Sequence, residues 1–349
     1  MITISLCMIV KNEEAVLQRC LDSVADLMDE IIIVDTGSTD HTKEIASNYT
    51  DKIYDFPWCD DFAAARNAAL SHATMDYIYS CDADEVLDEE NRERFKQLKE
   101  VLLPEIDIVQ MQYLEDGIQT VLNTNRELRP KLFKRLRQFY YVDPIHETLR
   151  LDPIVFDSEI EIQHKPVELH SRRDFRIFER AYERDRKFSH NVLSMYIKEL
   201  YKWGRPDDLE HAAKILEDIE YRGTLPDDLV QESFTILVRN ARLHQDLVNM
   251  MRYAVRSASI EKMCSELCYE VGAYYYDIED YPEAIIWLHN VLFETECYID
   301  VNVQGEKTFQ MLIHACEEAA KVTIDPPAKA YYERCVLQYS EKLQEYLQK

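Results

Sequence analysis

Glycine is scarce, with 6 in a chain of 349 residues. Closely spaced turns and bulges depend on residues that tolerate positive φ, so this scarcity argues against an all-β or loop-rich architecture. Cysteine is present but unorganised. The 9 cysteines form no CxxC pair and no close Cys/His cluster, and Cys264 and Cys268 read as two small buried residues on one helix face rather than a zinc site. An odd, scattered set predicts reduced thiols and a cytosolic protein. Long apolar runs are missing too: nothing approaches the roughly 18 residues that a membrane-spanning helix needs. The opening run 2–10 has no basic flank and meets Lys11-Asn12-Glu13-Glu14, so it reads as a strand and not as a signal peptide. There is no excess of basic residues. Lys plus Arg is 40 against 66 for Asp plus Glu, a net charge of -26, and so acidic a body repels a phosphate backbone, which argues against nucleic-acid binding.

Hydrophobic residues make up 46% and charged residues 30%, an ordinary globular mix, and the length predicts two domains. After the strand at 2–10, Val16, Leu17, Cys20, Leu21 and Val24 recur at helical spacing, which predicts a helix over 13–25. Residues 31–34 are a continuous β-branched run, the pattern of a strand buried on both faces. A turn over 35–40 leads to a helix near 41–48, a strand at 52–56, a helix at 62–72 and a strand at 77–81. Such alternation predicts an α/β domain with a mostly parallel sheet. Shorter strands are expected at 106–113, 131–134 and 159–163, and from Arg172 the pattern is helical almost to the end. The predicted domains are 1–170, α/β, and 171–349, all-α. In the second, residues 267–275 followed by 281–284 have tetratricopeptide-like spacing: Gly272 lets helices approach, Tyr275 fills the groove and Ala284 packs. Residues 195–203 and 208–216, with Ala212, form a degenerate copy. Helical repeats make surfaces that hold peptides or partner proteins; a plain cap stabilising the first domain is the alternative.

Chemistry-bearing residues gather at the carboxyl ends of predicted strands, where ligands of open α/β sheets bind. Asp82 and Asp84 in Ser80-Cys81-Asp82-Ala83-Asp84-Glu85 can approach one divalent ion, one directly and one through water or ribose. Hard oxygen ligands suit Mg²⁺ or Mn²⁺, which neutralises a diphosphate; an ordinary acidic strand end is the alternative. Asp35, followed by Gly37, can accept from a nucleobase or ribose, while Thr39 or Asp40 equally suits an N-cap. Glu13 follows the first strand with a carboxylate for a ribose hydroxyl. In Asp61–Asn67 small alanines allow close helix packing, and Arg66 and Asn67 offer donors. Against the acidic background, Arg129 and Lys131 read as cations that attract a diphosphate, and the basic run 172–187 as a solvated helix face.

The segments SLCMIVKNEE, IIIVDTGSTDHT, DFAAARNAAL and SCDADE, taken together, resemble family 2 glycosyltransferases of the GT-A fold. The nearest subgroup has tetratricopeptide-like helices after its catalytic domain. It includes bacterial enzymes that glycosylate flagellin or bacteriocin peptides and relatives that build lipopolysaccharide cores. The resemblance covers residues 1–170 well and the helical part loosely. It implies a cytoplasmic, metal-dependent (Mn²⁺ or Mg²⁺), inverting transfer of GlcNAc or glucose from a UDP-sugar to a protein or peptide, flagellin being the best single candidate. A lipopolysaccharide-core acceptor is the alternative within the enzyme class, and a repeat scaffold with a dead transferase domain the alternative outside it; a homodimer is left open. The resemblance also implies roles. Asp35 would bind uracil or ribose, Glu13 the ribose, and Arg66 the nucleotide or diphosphate, with Val10, Asp82, Ala83, Arg129 and Lys131 among the donor contacts. Asp84 would be the direct metal ligand, with His146 and His164 as further ligands unless they are structural imidazoles, and Glu147 the general base. The chain lacks a clean carboxylate-pair motif for that base.

Overall fold

The computed structural model describes residues 1–115, 126–137, 139, 141–142, 148–149, 153–165, 171–260 and 262–348. Contacts divide the chain into two compact units, one reaching Arg184 and the other beginning its main run at Asp185. The first unit runs β1 (Ile4–Val10), α1 (Leu17–Val24), β2 (Glu30–Asp35), α2 (Thr42–Ser47), β3 (Ile53–Asp55), α3 (Phe62–Ser71), β4 (Tyr77–Ser80), β5 (Glu85–Val86) and α4 (Glu89–Val101). It continues through β6 (Ile108–Glu115), β7 (Arg126–Lys134), β8 (Tyr141–Val142), β9 (Thr148–Leu149), β10 (Val155–His164) and α5 (Ser171–Asp185).

Eight strands form one sheet in the order β3-β2-β1-β4-β7-β6-β10-β5. The β1–β2, β1–β4, β2–β3 and β6–β10 pairs are parallel, whereas β7 runs antiparallel to both neighbours and β5 antiparallel to β10. The sheet is therefore mixed but mostly parallel, in the α/β class the sequence predicts. Period-two alternation supplies two apolar faces. Ile4, Leu6 and Met8 of β1 pack with Leu17 and Leu21 of α1 and Phe95 and Leu98 of α4. Cys7, Ile32, Val34 and Ile78 turn the other way, onto Ala69 of α3 and Ala73. Val10, Asp35 and Asp55 are register partners at the carboxyl ends of β1, β2 and β3, so the loops carrying the sequence motifs leave one edge of the sheet.

Several elements differ from expectation, α4 and β7 among them. Helix α4 has no counterpart in the sequence reading because its run is mostly charged; Asp88 caps it by accepting from Asn91 N–H at 2.9 Å, and Phe95 and Leu98 anchor it. Strand β7 begins five residues before the expected 131–134 segment. Pro130 breaks the apolar alternation there, yet it falls where the β6–β7 register shifts between Val109 and Gln110, an irregularity that tolerates a residue without an N–H.

The second unit is helical: α6 (His190–Trp203), α7 (Pro206–Tyr221), α8 (Val230–Leu243), α9 (Leu247–Ile260), α10 (Ser265–Asp277), α11 (Tyr281–Phe293), α12 (Glu306–Val322) and α13 (Pro326–Leu347). The α10–α11 pair packs as the repeat spacing predicts. A Cβ on Gly272 would lie 3.1 Å from Leu288 and 3.2 Å from Trp287, and Ala284 is fully buried. Ala212 is likewise buried in α7. Cys264 and Cys268 are buried. Among the described residues no helix is long and apolar enough to cross a membrane.

Candidate functional site

The β1 and β2 loops are stitched together by side chains. Gly37 has a φ of 103°, and with that turn Asp35 accepts from the Gly37 N–H at 3.1 Å and the Ser38 N–H at 3.0 Å. Asp35 is buried and shapes its own turn, with Lys43 Nζ at 3.7 Å. Asn12, itself at a φ of 56°, accepts from the Thr39 N–H at 2.8 Å and donates its own N–H to Ser38 Oγ at 2.9 Å. The Glu13 N–H donates to Thr42 Oγ1 at 2.7 Å, and the Glu13 carbonyl accepts from Leu17 at the start of α1. The Val10 carbonyl accepts from the Thr36 N–H at 2.9 Å. Asp40 accepts from the Thr42 N–H at 3.0 Å and the Glu14 N–H at 3.2 Å, but the N-cap position of α2 is His41, which makes no side-chain cap, so neither Thr39 nor Asp40 is the N-cap.

The second half of the site lies past β4. Asp61 caps α3 by accepting from the Ala64 N–H at 2.9 Å, and Ala63, Ala65 and Ala69 are buried. Helix α3 thereby presents Arg66, whose Nη2 donates to Asp82 Oδ1 at 2.8 Å. Asn67 holds the Tyr141 backbone from both sides, accepting at 2.8 Å and donating at 2.9 Å. The Arg66 guanidinium lies 5.7 Å from the Tyr141 ring. Burial pushes the Asp82 carboxyl up, but Arg66, Lys131 and Arg129 outweigh it and hold the group well below the usual carboxylate range. Ala83, between the two aspartates, packs in the hydrophobic core.

Asp84 and His164, 80 residues apart, meet with Oδ2 and Nε2 at 2.8 Å, each side chain about a quarter exposed. The cause is register: His164 ends β10 opposite Glu85 of β5, and the Lys165 N–H donates to the Asp84 carbonyl at 2.9 Å. The two are hydrogen-bonded to each other here, and a carboxylate oxygen and an imidazole nitrogen held this close are both donor types that a divalent ion accepts. Among the described residues no third His, Cys, Asp or Glu completes a cluster. His146 and Glu147 lie outside the described residues.

Sequence reasoning placed Lys131 on the diphosphate. The structure places it in the interior, its Nζ 2.6 Å from Glu85 Oε1 with both side chains buried. Burial works against its charge, yet Glu85 and Asp82 raise its pKa. Arg129 is more exposed and stacks on Tyr113 with its guanidinium 3.9 Å from the ring centroid; it also pairs with Glu127 at 2.9 Å. The Tyr113 ring is 5.3 Å from that of His164. Tyr113, Glu85 and Tyr141 are the site neighbours that the sequence reading missed. Only period-two alternation along β6 hinted at Tyr113, and it does not distinguish a core tyrosine from one under a site.

Residues 5–148 match the family described as Glycosyl transferase family 2. The chain carries a family 2 glycosyltransferase domain. Over 87 residues it is 52% identical to a TPR repeat-containing protein of Synechococcus elongatus, covering 25% of this chain and 22% of that protein. Over 123 residues it is 37% identical to the SPbeta prophage-derived glycosyltransferase SunS of Bacillus subtilis, covering 33% of this chain and 28% of the relative. The chain thus spans less than a third of the length of either relative. Among solved structures, S. aureus TarS aligns over 74% of this chain and 92% of its own at 13% identity and a TM-score of 0.40. The family 2 match contains Val10, Glu13, Asp35, Arg66, Asp82, Asp84, Arg129 and Lys131, and ends before His164.

Proposed function

We propose that this chain transfers a hexose, GlcNAc or glucose, from a UDP-sugar to a protein or peptide acceptor with inversion, flagellin being the best single candidate. The observation that carries this reading is the approach of Asp84 to His164 beside Asp82, within a family 2 glycosyltransferase domain. Three cations surround Asp82, an arrangement suited to a doubly charged leaving group. Asp84 and His164 would hold a Mn²⁺ or Mg²⁺ ion, which supplies counter-charge for the diphosphate. Arg66 and Arg129 orient the diphosphate, and Lys131, tied to Glu85, adds positive potential from below. The Glu13 and Asp35 loops receive the nucleoside.

The acceptor oxygen attacks the anomeric carbon on the face opposite the diphosphate. Its proton passes to Glu147, and the electron pair of the breaking sugar–oxygen bond leaves with UDP. The helical unit holds the acceptor chain, in keeping with the tetratricopeptide-like packing of α10 and α11. The test is UDP release and mass gain of flagellin or a peptide pool, read across UDP-sugars with Mn²⁺. Glu147→Gln should keep donor binding and lose transfer by roughly 10²–10⁴-fold. Undiminished transfer by Glu147→Gln removes it as the base, and no transfer from any UDP-sugar by the native chain overturns the reading.

A further inference from the structure

The loop after β3 brings an aromatic side chain to the carboxyl edge of the sheet. The Phe56 N–H donates to the Asp35 carbonyl at 2.8 Å, so the start of this loop is tied to the end of β2. Two residues on, Trp58 is half-buried. Its Nε1 donates to Asp60 Oδ1 at 2.9 Å. Asp60, at a φ of 56°, is ion-paired with Arg180 of α5. The Phe62 ring packs against the indole at a centroid distance of 4.9 Å and an angle of 64°. The indole plane is therefore held before any ligand arrives. Lys11, the first residue past β1, has its Nζ 6.0 Å from the indole centroid, the outer limit of a cation–π contact and a weak hold.

The position is informative. In the strand order β3-β2-β1-β4, Trp58 follows β3 and Asp82 follows β4, and those two strands lie three strand spacings apart, about 14 Å. The Asp35 turn and Glu13 lie between them, after β2 and β1. A nucleoside diphosphate with its phosphates at Asp82 and its ribose at Glu13 has its base at the β3 end. Resting on the donor reading above, we infer that Trp58 is the stacking platform for the nucleobase, with Lys11 on the outer side of the base. Every base has a π-face, so this platform gives affinity for the nucleoside while leaving the choice of base to neighbouring polar groups.

The test uses the full chain with Mn²⁺ and two probes, UDP and inorganic pyrophosphate, which lacks a base. Trp58→Ala should weaken UDP by roughly tenfold or more, the scale of base–aromatic stacking, and leave pyrophosphate affinity unchanged. Trp58→Phe should retain most UDP affinity but lose the tryptophan fluorescence change that UDP produces in the native chain, a readout that stands even if Trp58→Ala folds poorly. Unchanged UDP affinity in Trp58→Ala overturns the inference, as does an equal loss of UDP and pyrophosphate. A native chain that binds neither probe overturns the donor reading itself.

Discussion

Lys131 and Glu85 show how much of this site is built beneath its surface. Their ion pair is 2.6 Å long and almost fully buried, and Glu85 Oε2 has no hydrogen-bond partner among the described residues. Removing one member of such a pair strands the other charge in a low-dielectric interior. Lys131→Met should therefore destabilise the protein by about 3–5 kcal/mol in urea unfolding, and adding Glu85→Leu should recover most of that loss. If the single and double variants unfold alike, the pair is not the support described here. The same pair marks the limit of what the sequence reveals. Asp82 and Asp84 were legible because they are near neighbours in the chain at a strand end. Their partner His164 could be named from resemblance, but its approach to Asp84 depends on the β5–β10 register. Lys131 looked like a diphosphate ligand because its burial follows from the β7 position between β4 and β6, which no local pattern shows.

At the level of elements, α8 is the most buried helix to carry so many polar groups. Gln231, Glu232, Ser233 and Thr235 are all buried in it. Burial raises the Glu232 carboxyl from 4.5 to about 7, and its Oε2 has no partner among the described residues. A folded-state pKa above the unfolded one means that the folded state binds more protons between pH 4.5 and 7. Stability from this group is thus lost as pH rises through that window, roughly 3 kcal/mol in all. Glu232→Gln should have little effect on the pH 4 melting temperature and should raise it at pH 8; parallel pH curves for the two proteins would contradict this. The helical character beyond Arg172 was legible from the sequence pattern, and Gly272 and Ala284 identified one close pair. Helix α4 was not, because two apolar anchors among charged residues leave almost no periodic signal. The β8–β9 hairpin was missed because its strands are two residues each.

Over the whole molecule, a chain of net charge -26 keeps Arg66, Arg129 and Lys131 around Asp82, and they depress its pKa. These cations offset the carboxylates around them, which on the donor reading lessens the repulsion between an acidic protein and a polyanionic nucleotide. They do not by themselves hold the diphosphate next to Asp84, where like charges repel. The central claim is therefore that nucleotide binding requires a divalent ion at Asp84 and His164. Calorimetric titration of the full chain with UDP, in Mn²⁺ and in EDTA, tests it most directly. The account predicts binding in Mn²⁺, its loss in EDTA, and at least roughly tenfold weaker binding in Asp84→Ala and His164→Ala at unchanged folding. UDP binding of equal strength in EDTA, or in both variants with Mn²⁺ present, would contradict it.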